Sequence, residues 1–230
     1  RLWMYAYLNS GLALYFNGQR YLSANGLQDL LESETGEERL YNVIAYRSKT
    51  IEFALTHSDN YGETSFSFVN GQYTNDGGTH LSAFKEGVLK GINEFSGKNY
   101  KADEIRDGMI GAVAIKIKDP VFESQTKNKL GNTDVRGPIV AAVRDAIVDY
   151  LHKNKDVSEI LLDKVARNEQ MHRQIQEVKK KGRETQQKTR LRIPKLKDCK
   201  FHIGDKWPRN LEKSDTMIFL TEGDSAAGSL

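Results

Sequence analysis

The chain has 230 residues, 38% of them hydrophobic and 28% charged, the composition of a globular protein long enough to bury a sizeable core. Its single cysteine, Cys199, excludes an intramolecular disulfide framework and suits a reducing compartment, and no apolar run approaches the roughly 20 residues that cross a bilayer as a helix. The net charge of +3 is unevenly spread: residues 167–200 hold twelve Lys or Arg against four acids, a basic segment on an acidic body that fits either a polyanionic partner or a solvated helix.

The opening "RLWMYAYLNSG" has neither an initiating Met nor a basic-then-apolar leader, so the chain is expected to be a piece of a longer protein. It reads as a short helix stopped at Asn9-Ser10-Gly11, where glycine takes a left-handed cap. In "LALYFNGQRYLS" the pair Asn17-Gly18 predicts a type I′ hairpin, and "NGLQDLLES" predicts a helix from Leu27 to Glu32. Three runs rich in aromatic and β-branched residues follow, "NVIAYRS", "TIEFALTH" and "TSFSFVNG", and read as strands. In the second, Ile51, Phe53 and Leu55 share one face and Glu52 lies on the other. Thr79, after two glycines, is the expected N-cap of a helix whose Leu81, Phe84, Val88, Ile92 and Phe95 form one apolar face. "MIGAVAIKIKD" returns to strand, with Val113, Ile115 and Ile117 alternating until Pro120. After a polar loop, Pro138 fits the first turn of a helix striped by Val140, Val143, Ile147 and Tyr150. Asp156 and Glu159 suggest a capping box opening a polar helix of about thirty residues. Its stripe is thin (Leu161, Val165, Met171, Ile175, Val178), and a helix this polar is expected to bridge two bodies. The end, "TMIFLTEGDSAAGSL", reads strand, turn, helix start.

Three stretches carry chemistry. Glu222 follows an apolar strand and precedes Gly223, at the end of a strand where functional groups gather in open α/β sheets. Its carboxylate suits a hard cation or general acid/base work near a phosphate; alternatively Asp224 and Ser225 simply cap the next helix. In "SQTKNK", Gln125, Lys127 and Lys129 alternate, so an extended loop projects them the same way. A lysine is a compact charge for a terminal phosphate and a glutamine can donate an amide hydrogen bond, against the alternative of a solvated polar loop. Lys179, Lys180, Lys181, Arg183, Lys188, Arg190 and Arg192 could neutralise phosphates of a duplex, and without interleaved aromatics they favour sequence-blind contact. The five histidines show no metal-ligand spacing.

Together these motifs resemble a known family. "LTEGDSAAG" resembles the signature that opens the TOPRIM domain of type IIA DNA topoisomerases, and "QTKNKL" is similar to the Gln-Thr-Lys loop of the transducer domain before it. "LNSG", "DGGTHL" and "PKLKDC" resemble the B-type subunits of the bacterial enzymes, in the right order along residues 1–230. The hairpin and the short "NVIAYRSKT" connection lack the insertions of many gyrases, which favours the topoisomerase IV branch and leaves gyrase as the alternative.

The resemblance implies an α+β fold. Residues 1–10 would end a linker from an ATP-binding domain of the GHKL class. Residues 11–155 would form the transducer domain, a mostly antiparallel sheet with a left-handed βαβ crossover and helices on one face. Residues 156–198 would be a basic helix and linker, and 199–230 the start of the TOPRIM domain. The left-handed crossover runs against the strong right-handed default, so only the resemblance implies it. Implied cofactors are ATP and Mg²⁺. Implied partners are double-stranded DNA, an A-type subunit that supplies the nucleophilic tyrosine within a heterotetramer, and a second B-type subunit on ATP binding, in a bacterial cytoplasm without a membrane. Lys127 matches the lysine that reaches the γ-phosphate of ATP, and Gln125 its partner in the loop. Glu222 matches the TOPRIM glutamate, a metal ligand and general acid/base of strand cleavage, although one carboxylate alone holds Mg²⁺ poorly. By itself the chain is expected to hydrolyse no ATP and cleave no DNA. Two other classes stand beside this reading: a nucleic-acid module without ATP coupling, and a small-molecule kinase, for which "NDGGTH" is a short candidate loop.

Overall fold

The structure, a computed structural model, describes the backbone of residues 2–188 and side chains through 181. Helix α1 (Leu2–Leu8) stops at the turn of residues 9–11, where Gly11 takes φ +82° and the Asn9 amide donates to the Tyr5 carbonyl at 2.9 Å. Strands β1 (Leu14–Phe16) and β2 (Gln19–Tyr21) pair around Asn17 and Gly18, both at positive φ, the turn whose twist matches that of the strands. Helix α2 (Leu27–Thr35) extends past the expected end at Glu32, because Leu30, Leu31 and Thr35 bury a continuous face. Its first turn is held from far along the chain: the Glu52 carboxylate accepts the Leu27 N–H at 3.1 Å, a favourable place for a negative charge.

Strands β3 (Ile44–Arg47), β4 (Ile51–His57), β5 (Thr64–Val69), β6 (Gln72–Tyr73) and β7 (Met109–Ile115) form one sheet in the order β3-β4-β7-β5-β6. Only β5 and β7 run parallel; the other neighbours are antiparallel. The parallel pair is joined through β6, α3 (Thr79–Ser96) and the one-turn α4 (Ala102–Arg106). β6 adds a strand that periodicity does not predict. Asn70 and Gly71, both at positive φ, turn it back on β5. β7 ends earlier than the alternation to Ile117 predicts: the Asn70 side chain accepts the Ile117 N–H and donates to its carbonyl, both at 2.9 Å, where a strand neighbour would otherwise pair.

Helices cover both faces of the sheet, which corrects the expectation of one. Phe53, Leu55, Val113 and Ile115 pack with Phe84, Val88 and Ile92 of α3 and with Val143 and Ile147 of α5 (Arg136–Lys153). Ala54, Phe68 and Ala112, on the opposite face, pack against Leu27, Leu30 and Leu31 of α2 and Tyr7 of α1. β4 and β7 are therefore buried on both sides, and small residues on the second face make room for α2. Helices α3 and α5 approach closely at two glycines. A Cβ on Gly87 would lie 2.7 Å from the Val143 Cβ, and one on Gly91 3.1 Å from the Ile147 Cβ.

Asn154 closes α5 by donating its N–H to the Tyr150 carbonyl at 3.0 Å, and it opens α6 (Lys155–Lys188) by accepting the Ser158 N–H at 3.0 Å. Asp156, expected as the cap, lies inside the first turn, because Asn154 already serves both helices. Val157, Leu161 and Val165 of α6 enter the core, whereas Ile175 and Val178 are 44% and 69% exposed. The Asn168 amide pins the helix to the body, donating to the Glu104 carbonyl at 2.9 Å and the Asp107 carbonyl at 2.8 Å. The chain divides into a compact unit of Arg1–Lys179 and a second unit of Lys180–Leu230. No helix among the described residues is long and apolar enough to cross a membrane.

Candidate functional site

The segment between β7 and α5 folds as a closed loop. Its base is set by an antiparallel bridge between Phe122 and Leu130 and by the Gly131 N–H, which donates to the Val121 carbonyl at 2.8 Å. One step further out, the Glu123 N–H donates to the Lys129 carbonyl at 3.0 Å and their side chains form an ion pair at 3.0 Å. The tip is a turn: the Lys127 N–H donates to the Ser124 carbonyl at 3.1 Å and the Ser124 and Thr126 hydroxyls meet at 2.7 Å. Lys127 itself sits at φ +56°, a left-handed conformation that costs a non-glycine residue roughly 1 kcal/mol or more. Backbone strain of this kind gathers at functional loops.

This geometry revises the side-chain directions that alternation predicts. Gln125, Lys127 and Lys129 do not project together from an extended strand, because residues 124–127 turn. Lys129 is bound to Glu123, while Gln125 and Lys127 are exposed at the tip. Lys127 makes no ion pair and no side-chain hydrogen bond among the described residues.

The inner leg of the loop lies on the start of α3. The Asp76 N–H donates to the Asn128 carbonyl, the Leu130 N–H to the Gly77 carbonyl and the Thr79 N–H to the Leu130 carbonyl, each at 3.1 Å. Gly78, at φ +127°, is the N-cap, and no side chain caps the helix. Thr79, the expected cap, is instead the first helical residue. The cap position touches the backbone of Leu130, and no side chain fits there. Two stretches that the sequence marks separately, "NDGGTH" and "SQTKNK", are thus one structure.

Beside this contact an open cavity of about 500 Å³ is lined by residues that include Thr79, Ser82, Lys85, Lys129 and Arg136. Its cations are all matched: Lys85 with Glu63 at 2.5 Å, Lys129 with Glu123 at 3.0 Å and Arg136 with Glu86 at 2.7 Å. Hydrogen bonds from Lys90 and Arg136 hold the Glu86 carboxyl below its ordinary range. Gln125 and Lys127 do not line this cavity.

The buried histidines are structural. Burial lowers His57 to about 4, so it is neutral. Its Nε2–H donates to the Ile105 carbonyl at 2.7 Å, which leaves Nδ1 to accept the Tyr41 hydroxyl at 2.5 Å. Burial likewise lowers His80 to about 4. Its Nε2 meets the Thr74 hydroxyl at 3.1 Å, and its Nδ1 has no partner among the described residues. Among those residues no group of three or more His, Cys, Asp or Glu could hold a metal ion.

Of the predicted DNA contacts, Lys179, Lys180 and Lys181 are exposed on α6. Consecutive positions on a helix are about 100° apart, so the three fan around it rather than form one line. Arg183 and Lys188 fall on the same helix, with side chains outside the described set. Arg190, Arg192 and Glu222 lie outside the described residues.

The chain matches the family model described as DNA gyrase B over residues 21–181. Over its full length it is 49% identical to the B-type subunit of DNA topoisomerase 4 from Borreliella burgdorferi and covers 38% of that protein. It is 33% identical to the B-type subunit of a DNA gyrase from Helicobacter pylori, over 97% of this chain and 30% of the relative. The chain therefore spans about a third of the length of these relatives. Among solved structures it is similar to the 43K ATPase domain of Thermus thermophilus gyrase B in complex with an aminocoumarin. The TM-score is 0.65 at 25% identity, covering 80% of this chain and 55% of that one. It shares a fold with the topoisomerase IV ATP binding domain of Francisella tularensis, with a TM-score of 0.58 at 24% identity over 74% of this chain and 52% of that one.

Proposed function

The chain belongs to the DNA gyrase B family, and from that premise we propose that it is part of the B-type subunit of an ATP-dependent type II DNA topoisomerase. Such an enzyme passes one duplex through a double-strand break in another. In this reading residues 11–155 are the transducer domain, with the left-handed crossover between β5 and β7, and residues 1–10 end the linker from a GHKL ATPase domain. Residues 156–198 lead to a TOPRIM domain that begins in 199–230. The topoisomerase IV branch is favoured by 49% identity against 33% for gyrase.

Lys127 reaches the γ-phosphate of ATP held by the preceding domain, with Gln125 beside it. Bound ATP supplies the phosphoanhydride whose cleavage drives the cycle. The observation that carries this assignment is the state of Lys127: exposed, uncommitted among the described residues, and set on a loop with a fixed base. A charge-assisted bond to phosphate is strong, and here it requires no internal ion pair to be broken. The cations of Lys179, Lys180, Lys181, Arg183, Lys188, Arg190 and Arg192 contact the duplex backbone. Glu222 serves the cleavage centre as Mg²⁺ ligand and general acid/base, together with carboxylates from outside the described residues. The A-type subunit supplies the tyrosine, a second B-type subunit closes the ATP gate, and the setting is the bacterial cytoplasm.

The test is ATP turnover by the complete B-type subunit. Lys127→Ala should lower kcat by about 100-fold or more, the scale on which a charge aimed at the transferred phosphoryl acts. Unchanged turnover refutes the assignment. Decatenation without negative supercoiling by the reconstituted enzyme identifies the topoisomerase IV branch; introduction of negative supercoils identifies gyrase.

A further inference from the structure

We propose that Gly78 is a positioning residue for Lys127, and that residues 76–79 are the seat on which the Lys127 loop is set. The proposal rests on the phosphate-sensing reading of Lys127 and adds what holds that lysine in place. Three backbone hydrogen bonds, each 3.1 Å, join residues 76, 77 and 79 to 128 and 130. Asn128, the residue after Lys127, is one of the acceptors. Leu130, almost fully buried, is bridged to Phe122 on one side and to Gly78 on the other. The loop thus has two fixed edges, and the strained tip stands on them.

Gly78 makes this arrangement possible. Its φ of +127° with ψ −164° belongs to a region open essentially to glycine alone. A Cβ there would lie 2.4 Å from the Leu130 carbonyl oxygen and 2.5 Å from the Leu130 nitrogen. Those atoms are backbone, so relief comes only by moving the loop leg. To reach ordinary contact near 3.4 Å, Leu130 must retreat by about 1 Å. A misplacement of about 1 Å at a reacting centre costs on the order of 100-fold in rate. The neighbouring Gly77 differs: a Cβ there would meet Leu81 Cδ2 at 2.8 Å, the far end of a flexible side chain.

The test uses the complete B-type subunit with four variants: Gly78→Ala, Lys127→Ala, the double variant and Gly108→Ala. Gly108 is a matched control, at φ +84° with a Cβ position 2.4 Å from the Ser58 carbonyl oxygen, at the other end of β7. Gly78→Ala is expected to lower kcat on the order of 100-fold with KM for ATP unchanged. The double variant should turn over no more slowly than Lys127→Ala, because residues acting through one contact are not additive. Gly108→Ala should lower Tm and keep the wild-type kcat. Wild-type turnover by Gly78→Ala beside a dead Lys127→Ala overturns this inference and leaves the sensing role standing. Multiplied losses in the double variant overturn it likewise. An active Lys127→Ala overturns the sensing role and this inference with it.

Hydrogen exchange on the complete wild-type protein decides the question should Gly78→Ala fail to fold. A non-hydrolysable ATP analogue should slow exchange at the amides of Asp76, Thr79 and Leu130, and Lys127→Ala should abolish that slowing. Protection confined to residues 124–127 overturns the proposal.

Discussion

Lowering the pH from 7.5 to 5.0 is expected to remove about 4 kcal/mol from the stability of the body, worked from two buried histidines. His57 and His80 each ordinarily titrate near 6.5, and burial holds both near 4 in the folded chain. The unfolded chain therefore binds protons that the folded chain refuses. Stability is full above pH 6.5, falls as the pH drops through the window between the two values, and stops falling near 4. At pH 5.0 each histidine favours the unfolded state by RT ln[(1 + 10^1.5)/(1 + 10^−1)], about 2 kcal/mol. For a body of this size, about 4 kcal/mol lowers Tm by roughly 10 °C. Carboxylates do not confuse the window. Asp29, whose burial is outweighed by hydrogen bonds from Asn25, Ser23 and Ala24, loses its contribution only as the pH falls past its ordinary 3.8. Glu86, bonded by Lys90 and Arg136, does so past 4.5. Scanning calorimetry of the chain between pH 7.5 and 5.0 measures the slope. His57→Gln, whose side chain does not titrate, should halve that slope whatever it does to absolute stability. A flat Tm over this range, or an undiminished slope in His57→Gln, refutes the reasoning.

Two further outcomes follow from packing and charge. In Gly87→Ala a Cβ 2.7 Å from the Val143 Cβ overpacks the contact between α3 and α5, at a cost of about 1–3 kcal/mol. Offset by the gain of about 1 kcal/mol in helix propensity, the net loss should be up to about 2 kcal/mol, and a raised urea midpoint would show that the helices yield at no cost. Replacing Lys179, Lys180 and Lys181 together by Gln should lower the salt slope of duplex binding by about 3. An unchanged slope places the phosphate contacts elsewhere.

The strands and helices on the bulky face of the sheet were legible because their periodicity is strong. Phe53 and Leu55 alternate at the strand period, and Phe84, Val88 and Ile92 recur at the helical one. The opposite face was not legible, for a physical reason. Ala54 and Ala112 are small so that α2 can approach, and alanine marks neither a polar nor an apolar side. Alternation places Glu52 on that second face of β4 but gives no partner for it; its carboxylate holds the first turn of α2. The caps failed in a related way. Residue type identifies Thr79 and Asp156 as good caps, but tertiary contacts decide which residue stands last outside a helix. At α3 that contact is the Leu130 backbone, which admits only Gly78. At α6 it is Asn154, shared with the end of α5.

The loop was recognisable as a motif, and so was the diglycine turn, but their contact spans 51 residues between Thr79 and Leu130 and leaves no periodic trace. The alternation of Gln125, Lys127 and Lys129 implied a shared direction that the turn breaks, and the break separates the roles of the two lysines. Lys129 closes the loop through Glu123, an exposed pair worth at most about 1 kcal/mol but placed where two backbone bonds already bring the legs together. Lys127 is left at a left-handed tip position, which the sequence could signal only by a Gly or Asn there. A lysine in that conformation carries a local backbone cost. The cost is reasonable where the side chain serves a partner outside the loop, since nothing inside the described residues holds it. The fixed base and the free charge are what the proposed role of Lys127 requires of the loop: a steady support, and a cation with no partner among the described residues.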